Sequence, residues 1–209
     1  VTGDWDQTDL QALLDAANVD ATQLVNPFGG LNADGDCNDA LTYRADGISL
    51  SDGHDWITVA QEEEHLRGYL TIQKVRYRDI LDYDIRIDPT LKNEMILKLS
   101  IQPLVENALY HGIKNRRGGG SITIDVRRQE GSLYVHVSDN GIGMAPERLR
   151  NLRDMLSGKE PSADSGFGLY SVDQRIKLYY DQPQGLKVDS ALGQGTAISF
   201  SVPLNHQAR

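Results

Sequence analysis

The stretch QPLVENALYHG, residues 102–112, places polar side chains inside an otherwise apolar helical pattern. Asn107 and His111 are four residues apart, so on a helix they project from one face about one turn apart. An amide oxygen can bind Mg²⁺, and a histidine or the nearby Lys114 can contact phosphate oxygens. Glu106 lies about 100° around the helix from Asn107, close enough to act on a nucleophile at the same site. The alternative is a solvated polar face that ends in a histidine.

The stretch SDNGIGM, residues 138–144, directly follows a predicted strand. Gly141 and Gly143 would let the backbone approach a ligand closely. The Asp139 carboxylate can accept a hydrogen bond from the exocyclic amine of adenine, and it would repel the carbonyl oxygen that guanine carries there. The motif therefore predicts adenine over guanine. The alternative is an ordinary turn, because Asn-Gly is also a strong hairpin signal.

Two further glycine motifs follow along the chain. SGFGLYSV, residues 165–172, places Gly166 and Gly168 immediately before a predicted helix. Free backbone N–H groups and the positive end of the helix dipole make such a junction an anion site, although most such motifs mark only a tight loop. GQGT, residues 193–196, lies between two predicted strands, and a simple hairpin explains it equally well.

The elements that must position these motifs alternate between helices and strands. Apolar spacing predicts a charged helix over 59–79, and alternation predicts a strand over 81–87. Apolar residues at helical spacing from Leu97 to Ala108 predict a one-sided helix, and Gly112 is its expected end. The remaining predictions are strands at SITIDVRR and SLYVHVSD, a polar helix around 146–157, a helix at FGLYSVDQRIKLYY and a hairpin of GLKVDS with TAISFSVPL. Strands on one side with helices covering them predict an α+β fold, a two-layer sandwich.

Charge is distributed unevenly along the 209 residues, whose net charge is −9. Residues 1–56 carry a net charge of −10 and residues 57–209 a net charge of +1. This shift predicts a boundary near Trp56, with an acidic N-terminal segment (1–56) before it. After the boundary, a linker helix (57–80) precedes the alternating elements of 81–205. Neither side of the boundary has the basic stripe of a nucleic-acid-binding protein.

Two other features of the composition limit the class of protein. No stretch approaches the roughly 18 apolar residues that a membrane helix needs. Cys37 is the only cysteine, so the chain cannot form an internal disulfide, which fits a reducing compartment. The chain does not begin with Met, and we expect it to be part of a longer protein.

Taken in order, the four motifs resemble the GHKL ATP-binding domain, the Bergerat-type fold shared by gyrase, Hsp90, histidine kinases and MutL. QPLVENALYHG resembles its N box, DNGIGM its first glycine box and GFGL its second. Within that family the chain is similar to the LytS/YesM group of sensor histidine kinases. The stretch EEEHLRGYLTIQKVRYRD resembles the helix that leads into their ATPase domain, and GLYSVDQRIKLYY resembles their second-box helix.

The resemblance implies ATP and Mg²⁺ as cofactors and gives each motif a role. Asn107 would bind Mg²⁺, Glu106 would act as base or orient groups, and His111 and Lys114 would lie near the phosphates. Asp139 would hold adenine with Gly141 and Gly143 beside it. The remaining implied contacts are Gly166, Gly168 and Leu169 at the phosphate end and Thr196 beside adenine through water. Residues 145–165 would form a mobile lid over the nucleotide.

The chain departs from this group at the phosphoacceptor. There the acceptor histidine lies in a helix containing Pro-His-Phe, whereas here NPFGGLN (26–32) has no histidine. His65 has acidic neighbours, but its position matches a non-acceptor site of the group. We therefore expect a chain that binds ATP and uses a histidine on a separate phosphoacceptor domain. The resemblance further implies a response regulator as partner, a homodimer in the full-length protein and a cytoplasmic place in a membrane-anchored bacterial sensor.

Residues 1–56 fit this family poorly. GDWDQTDLQALLDAA and ADGISLSDGHD loosely resemble the ends of dockerin-type calcium loops, and NADGDCND places oxygen ligands at alternate positions. No complete twelve-residue loop can be drawn, because starting at Asp34 puts Ala45 where a bidentate acid is needed. Ca²⁺ binding and an acidic, loop-rich or fused segment are the two interpretations.

Three functions follow from these observations. The first is the catalytic domain of a two-component sensor histidine kinase, which transfers the γ-phosphoryl group of Mg·ATP to a histidine outside this chain. The second is a nucleotide-binding switch without transferase activity. The third is a GHKL ATPase or serine kinase. It is less favoured because the helix before the domain resembles that of the histidine kinases.

Overall fold

The computed structural model describes residues 55–78, 80–159 and 167–204, which belong to a compact unit that begins at Asp55. Its strands are β1 (Trp56–Thr58), β2 (Leu81–Ile87), β3 (Met95–Leu97), β4 (Gly120–Gln129), β5 (Ser132–Asp139), β6 (Lys187–Ala191) and β7 (Gly195–Pro203). Its α-helices are α1 (Val59–Arg76), α2 (Gln102–Asn107), α3 (Pro146–Leu156) and α4 (Phe167–Tyr179). A short 3₁₀ helix spans Pro89–Leu91. None of the helices in these ranges is long and apolar enough to cross a membrane.

Five strands form one mixed sheet in the order β2-β4-β5-β7-β6. Strands β2 and β4 are parallel and the other neighbours are antiparallel. Apolar and polar residues alternate along β4 and β5, so one face of the sheet is buried under helices and the other is partly exposed. This arrangement confirms the predicted α+β fold with two layers. Strands β1 and β3 form a separate antiparallel ribbon.

Helix α1 begins at a capping box. The Gln61 N–H donates to the Thr58 side chain, and the Thr58 N–H donates to Gln61 Oε1 at 2.9 Å. Leu66 and Leu70 are fully buried on its inner face. The helix ends at Arg76, three residues before the predicted limit, because the chain turns there toward β2.

Both limits predicted for the helix between Leu97 and Gly112 are wrong. Leu97 belongs to β3, where it pairs with Trp56. The α-helical part starts at Gln102, and Pro103 lies in its first turn, so it opens the helix rather than kinking it. Gly112 does not end the helix, since a π-helical turn continues from Ala108 to Ile113. The Lys114 N–H donates to the Leu109 carbonyl at 2.9 Å, which closes this wider turn.

The polar helix predicted around 146–157 is confirmed as α3, but the prediction that all of 145–165 is a mobile lid is wrong. Four apolar side chains of α3 are buried, and they are Leu149, Leu152, Met155 and Leu156. Arg153 also donates to the Val188 carbonyl of β6 at 2.9 and 2.7 Å. The first half of that segment is therefore held against the sheet, and residues 160–166 lie outside the described part.

Candidate functional site

The end of α2 carries the first pair of candidate residues. Glu106 and Asn107 are both half-buried. Burial raises the pKa of the Glu106 carboxyl, and the hydrogen bond that Gln102 Nε2 donates at 2.9 Å opposes this shift. In the part of the chain that the structure describes, no protein group hydrogen-bonds to the Asn107 amide. Its oxygen is therefore available to a ligand.

The π-helical turn places His111 and Lys114 in different surroundings. His111 lies at the surface, yet partial desolvation and then the positive charge of Arg148 on α3 lower its pKa. The lowered pKa favours the neutral imidazole. The Lys114 ammonium lies 5.7 Å from the centre of the Tyr110 ring. Both side chains are exposed and can reach a ligand over α2.

Asp139 ends β5 in the middle of the sheet, paired with Ile122 on one side and Thr196 on the other. Its side chain is 8% exposed. The Gly141 N–H donates to Asp139 Oδ1 at 2.7 Å. Burial raises the pKa of this carboxyl, while the backbone hydrogen bonds from Gly141 and Thr196 counteract the rise. The result is a rigidly held, nearly buried acceptor.

The glycines after Asp139 are required by contacts inside the protein. A side chain at Gly141 would overlap the backbone of Gly112, and one at Gly143 would overlap the carbonyl of Ala191. Gly143 also has a positive φ of 65°. A side chain at Gly112 would in turn overlap the Asp139 carboxylate. Close backbone packing therefore locks the turn after Asp139 against the π-helical turn.

Sequence reasoning missed two residues that hold the structure around Asp139, namely Ser190 and Asn140. Ser190 Oγ lies 2.9 Å from Thr196 Oγ1 and accepts from the Met144 N–H at 2.9 Å, so it ties β6 to this turn. Asn140 Oδ1 accepts from the Ser121 N–H at 2.8 Å. Asn140 could have been found within the motif DNG, whereas no local signal marks Ser190.

The start of α4 holds part of the second glycine motif. Gly168 is exposed, and apart from its chain neighbours and the backbone of its own helix, no atom of the described residues lies within 4 Å of the position that a Cβ would take. Leu169 is buried at 4% exposure. Gly166 lies outside the described residues. Helix α4, which follows this motif, packs against α2, the helix that carries Asn107.

A cavity of about 550 Å³ opens between α3 and the turn that joins β6 to β7, and Asp139 and Thr196 line it. Leu149 and Arg153 of α3 contribute its opposite wall. Asn107 and His111 do not line it. The structure thus brings Asp139 and Thr196 together at one opening. Gly141 does not line it and belongs to the site through the hydrogen bond that its N–H donates to Asp139.

The described side chains do not form a metal-binding site by themselves. Among residues 55–78, 80–159 and 167–204, no three His, Cys, Asp or Glu side chains form a group that could hold a metal ion. The calcium-loop prediction for 1–56 and the histidine-free stretch NPFGGLN lie outside the described residues, apart from Asp55 and Trp56. A metal at Asn107 would need most of its ligands from elsewhere, and phosphate oxygens are the ligands that Mg²⁺ commonly takes in such sites.

Comparison with known proteins decides the family. The family described as histidine kinase-, DNA gyrase B- and HSP90-like ATPase matches residues 93–206, which is more than half of the chain. The chain belongs to this ATPase family. The predicted GHKL resemblance is therefore confirmed, and the polar residues of α2 and the turn after β5 all lie within the matched range.

Curated relatives of this ATPase domain include sensor histidine kinases. Sensor histidine kinase YesM of Bacillus subtilis (strain 168) is 31% identical over 153 residues, which are 73% of this chain and 25% of that protein. Sensor protein LytS of the same organism is 32% identical over 151 residues, which are 71% of this chain and 25% of that protein. The chain spans about a quarter of the length of these curated relatives.

A solved structure supports the fold of the ATPase domain. The histidine kinase domain from the Erythrobacter litoralis EL346 blue-light activated histidine kinase superposes with a TM-score of 0.51. The two chains are 18% identical, and the match covers 70% of this chain and 62% of that one. At this identity the likeness establishes the fold alone.

Proposed function

We propose that this chain is the ATP-binding catalytic domain of a two-component sensor histidine kinase and transfers the γ-phosphoryl group of Mg·ATP to a histidine on another domain. The observation that carries the proposal is the buried Asp139 carboxylate at the end of β5 in an ATPase-family domain. Its sensor-kinase relatives support the histidine as acceptor.

Asp139 is proposed to select adenine. Its carboxylate is nearly buried and held by the Gly141 N–H at 2.7 Å, so it can accept from an exocyclic amine without moving. The guanine carbonyl oxygen would face this negative charge without a hydrogen bond. Thr196, which Ser190 orients, is proposed to support adenine through water.

Asn107 is proposed to bind the Mg²⁺ of Mg·ATP through its amide oxygen, which no protein group occupies among the described residues. When bound, the ion neutralises charge on the phosphate oxygens. The His111 imidazole and the Lys114 side chain are proposed to donate hydrogen bonds to those oxygens. Gly166, Gly168 and Leu169 are proposed to line the same end at the start of α4.

Glu106 is proposed to act as a base or to orient the attacking group. Burial raises its pKa above the ordinary value, which brings it closer to the working pH that suits a base. The Gln102 amide fixes the carboxylate by a hydrogen bond of 2.9 Å. The orientation of Glu106 is thereby set before a partner arrives.

The organisation of the longer protein is part of the proposal. We propose an acidic segment over 1–56, a leading helix over 57–80 and the catalytic domain over 81–205. A phosphoacceptor histidine domain and a response regulator would be its partners, in a homodimer placed on the cytoplasmic side of a membrane-anchored sensor. Calcium binding by 1–56 is a separate proposal, which absence of heat on titration with millimolar Ca²⁺ would remove.

A second candidate function is a nucleotide-binding switch without transferase activity. The observation that favours it is that NPFGGLN (26–32), the stretch nearest to the Pro-His-Phe pattern of the resembled group, has no histidine. In that case nucleotide binding would alter contacts with a partner, and no phosphoryl group would leave ATP.

A phosphoryl-transfer assay distinguishes the two functions. Radiolabelled ATP is supplied with Mg²⁺ and a separate phosphoacceptor helix domain, and label on that domain is measured. We expect transfer by the parent chain and a loss of at least about 100-fold in Asn107→Ala. The control Asn115→Ala removes an exposed amide that donates to the Tyr110 carbonyl at 3.0 Å, and it should leave transfer unchanged. Tight binding of Mg·ATP without transfer would favour the switch.

A further inference from the structure

Glu62 is a buried carboxylate on α1 that bonds to a different part of the chain. Its side chain is 1% exposed. It accepts hydrogen bonds from the backbone N–H of Ile101 at 3.2 Å and of Leu99 at 3.4 Å. These residues lie just before α2, so the first turn of α1 holds the start of the helix that carries Asn107.

The start of α2 depends on an acceptor from outside. The first N–H groups of a helix have no partner within the helix and are usually satisfied by a polar residue at the N-cap. The N-cap of α2 is Ile101, whose side chain cannot accept a hydrogen bond. Leu99 has a positive φ of 57°, a conformation that such residues rarely adopt. Glu62 bonds to both residues and therefore stabilises this unusual entry.

Charged and polar neighbours surround this carboxylate without forming a simple ion pair. Arg175 of α4 attracts it and donates to the Lys98 carbonyl at 3.0 Å. The Tyr180 hydroxyl is also close enough that the Glu62 charge raises its pKa. Burial nevertheless raises the pKa of Glu62. Burying a carboxylate costs desolvation free energy. The hydrogen bonds that Glu62 accepts at the start of α2 offset part of that cost.

The position of Asn107 follows from the position of Ile101. Helix α2 has six residues and ends at Asn107, so Asn107 lies about 9 Å along the axis from Ile101 at a rise of about 1.5 Å per residue. A shift of the first turn is therefore passed to the Asn107 amide. Asp139 is held differently, since β5 is paired with β4 and β7 on its two sides.

We propose that Glu62 is a positioning residue for Asn107, so that the docking of α1 sets the Mg²⁺-dependent part of ATP binding and leaves the adenine contact unchanged. The inference rests on the proposed function, because it assigns the metal to Asn107 and adenine to Asp139. Helix α1 leads into the domain, and a movement of α1 would release the start of α2.

The test compares two nucleotide measurements in the 209-residue chain. Calorimetry gives the affinity for Mg·ATP and, in the presence of a chelator, for ADP without metal. In Glu62→Ala we expect about tenfold weaker binding of Mg·ATP and a change of less than about twofold for metal-free ADP. Glu62→Gln keeps one acceptor oxygen and loses the charge, so we expect about threefold weaker binding of Mg·ATP and an unchanged affinity for metal-free ADP. Glu64→Gln, an exposed neighbour on α1, is the matched control and should match the parent.

The outcomes separate the inference from the proposed function. If the parent does not bind Mg·ATP, the proposed function fails and the inference fails with it. If the parent binds and a folded Glu62→Ala keeps the parent's ratio of the two affinities, or loses both equally, only the positioning role is overturned. Should Glu62→Ala not fold, Glu62→Gln decides, and a parent-like ratio in that variant overturns the role.

Discussion

At the scale of single residues, Glu106 and Gln102 form a pair that controls when the carboxylate is charged. Burial raises the pKa of Glu106, and the amide hydrogen bond of 2.9 Å counteracts part of that rise. A base must be deprotonated to act, so transfer should increase as the pH rises through this pKa.

The variant Gln102→Ala tests this pair. Loss of the donor destabilises the charged carboxylate, so the pKa of Glu106 rises further and the acidic limb of the pH–rate profile moves to higher pH. The measurement is phosphoryl transfer as a function of pH in parent and variant. Gln129→Ala, an exposed residue on β4, is the control. An acidic limb that does not move in Gln102→Ala would contradict a role of Glu106 as base.

Two glycines of the site should respond in opposite ways to alanine. A methyl group at Gly141 overlaps the Gly112 backbone, and neither main chain can move away easily, so Gly141→Ala should cost about 1–3 kcal/mol of unfolding free energy. Gly168 lies in α4 with open space around it among the described residues, so Gly168→Ala should stabilise the fold by about 0.5–1 kcal/mol. Denaturant unfolding measures both. Equal effects of the two substitutions would contradict the packing described here.

At the scale of elements, the strands and the longer helices were predictable because their patterns are local. Alternation marked β4 and β5, and the apolar face of FGLYSVDQRIKLYY marked α4. Leu97 was misassigned because three apolar residues become the strand β3 only by pairing with the distant β1. Gly112 was misassigned because its turn is shaped by contact with Asp139 and Gly141, far along the chain.

The same distinction applies to the candidate site. The order of the motifs placed Asp139 and Thr196 in one site, and the structure pairs them on adjacent strands. Ser190 and Glu62 carry no local signal, because a serine in a strand and a glutamate in a charged helix are ordinary. Their importance comes from partners that are distant in sequence, such as Ile101 for Glu62. Only the folded chain shows these pairs.

The junction of β3 with α4 supplies a test at this scale. The Leu97 N–H donates to the buried Tyr180 hydroxyl at 3.0 Å. Tyr180→Phe leaves that N–H without its partner and should cost about 1–3 kcal/mol of unfolding free energy. Tyr179→Phe is the control, since its hydroxyl bonds to the part-exposed Asp55 at 3.1 Å, and it should cost less than about 1 kcal/mol. A loss that is no larger in Tyr180→Phe than in Tyr179→Phe would contradict the role of this bond.

At the scale of the whole molecule, the net negative charge and the candidate site lie in different parts of the chain. Residues 1–56 hold a net charge of −10, whereas the hydrogen bonds described for Asp139 and for the entry of α2 come from Gly141 and Glu62. We therefore expect a chain that starts at Asp55 to fold and to bind Mg·ATP within about twofold of the full chain. Circular dichroism and calorimetry check this. Loss of binding in the folded shorter chain would assign residues 1–54 to the site.

The measurement that tests the central claim most directly is calorimetric titration of the full chain with Mg·ATP. The account predicts binding by the parent, weaker binding of Mg·GTP, and affinities reduced at least about tenfold in folded Asp139→Asn and Asn107→Ala, because each variant loses a charge-assisted or metal contact. The contrary result is equally clear. If both variants keep their fold and bind Mg·ATP as tightly as the parent, Asp139 does not hold adenine and Asn107 does not hold the metal.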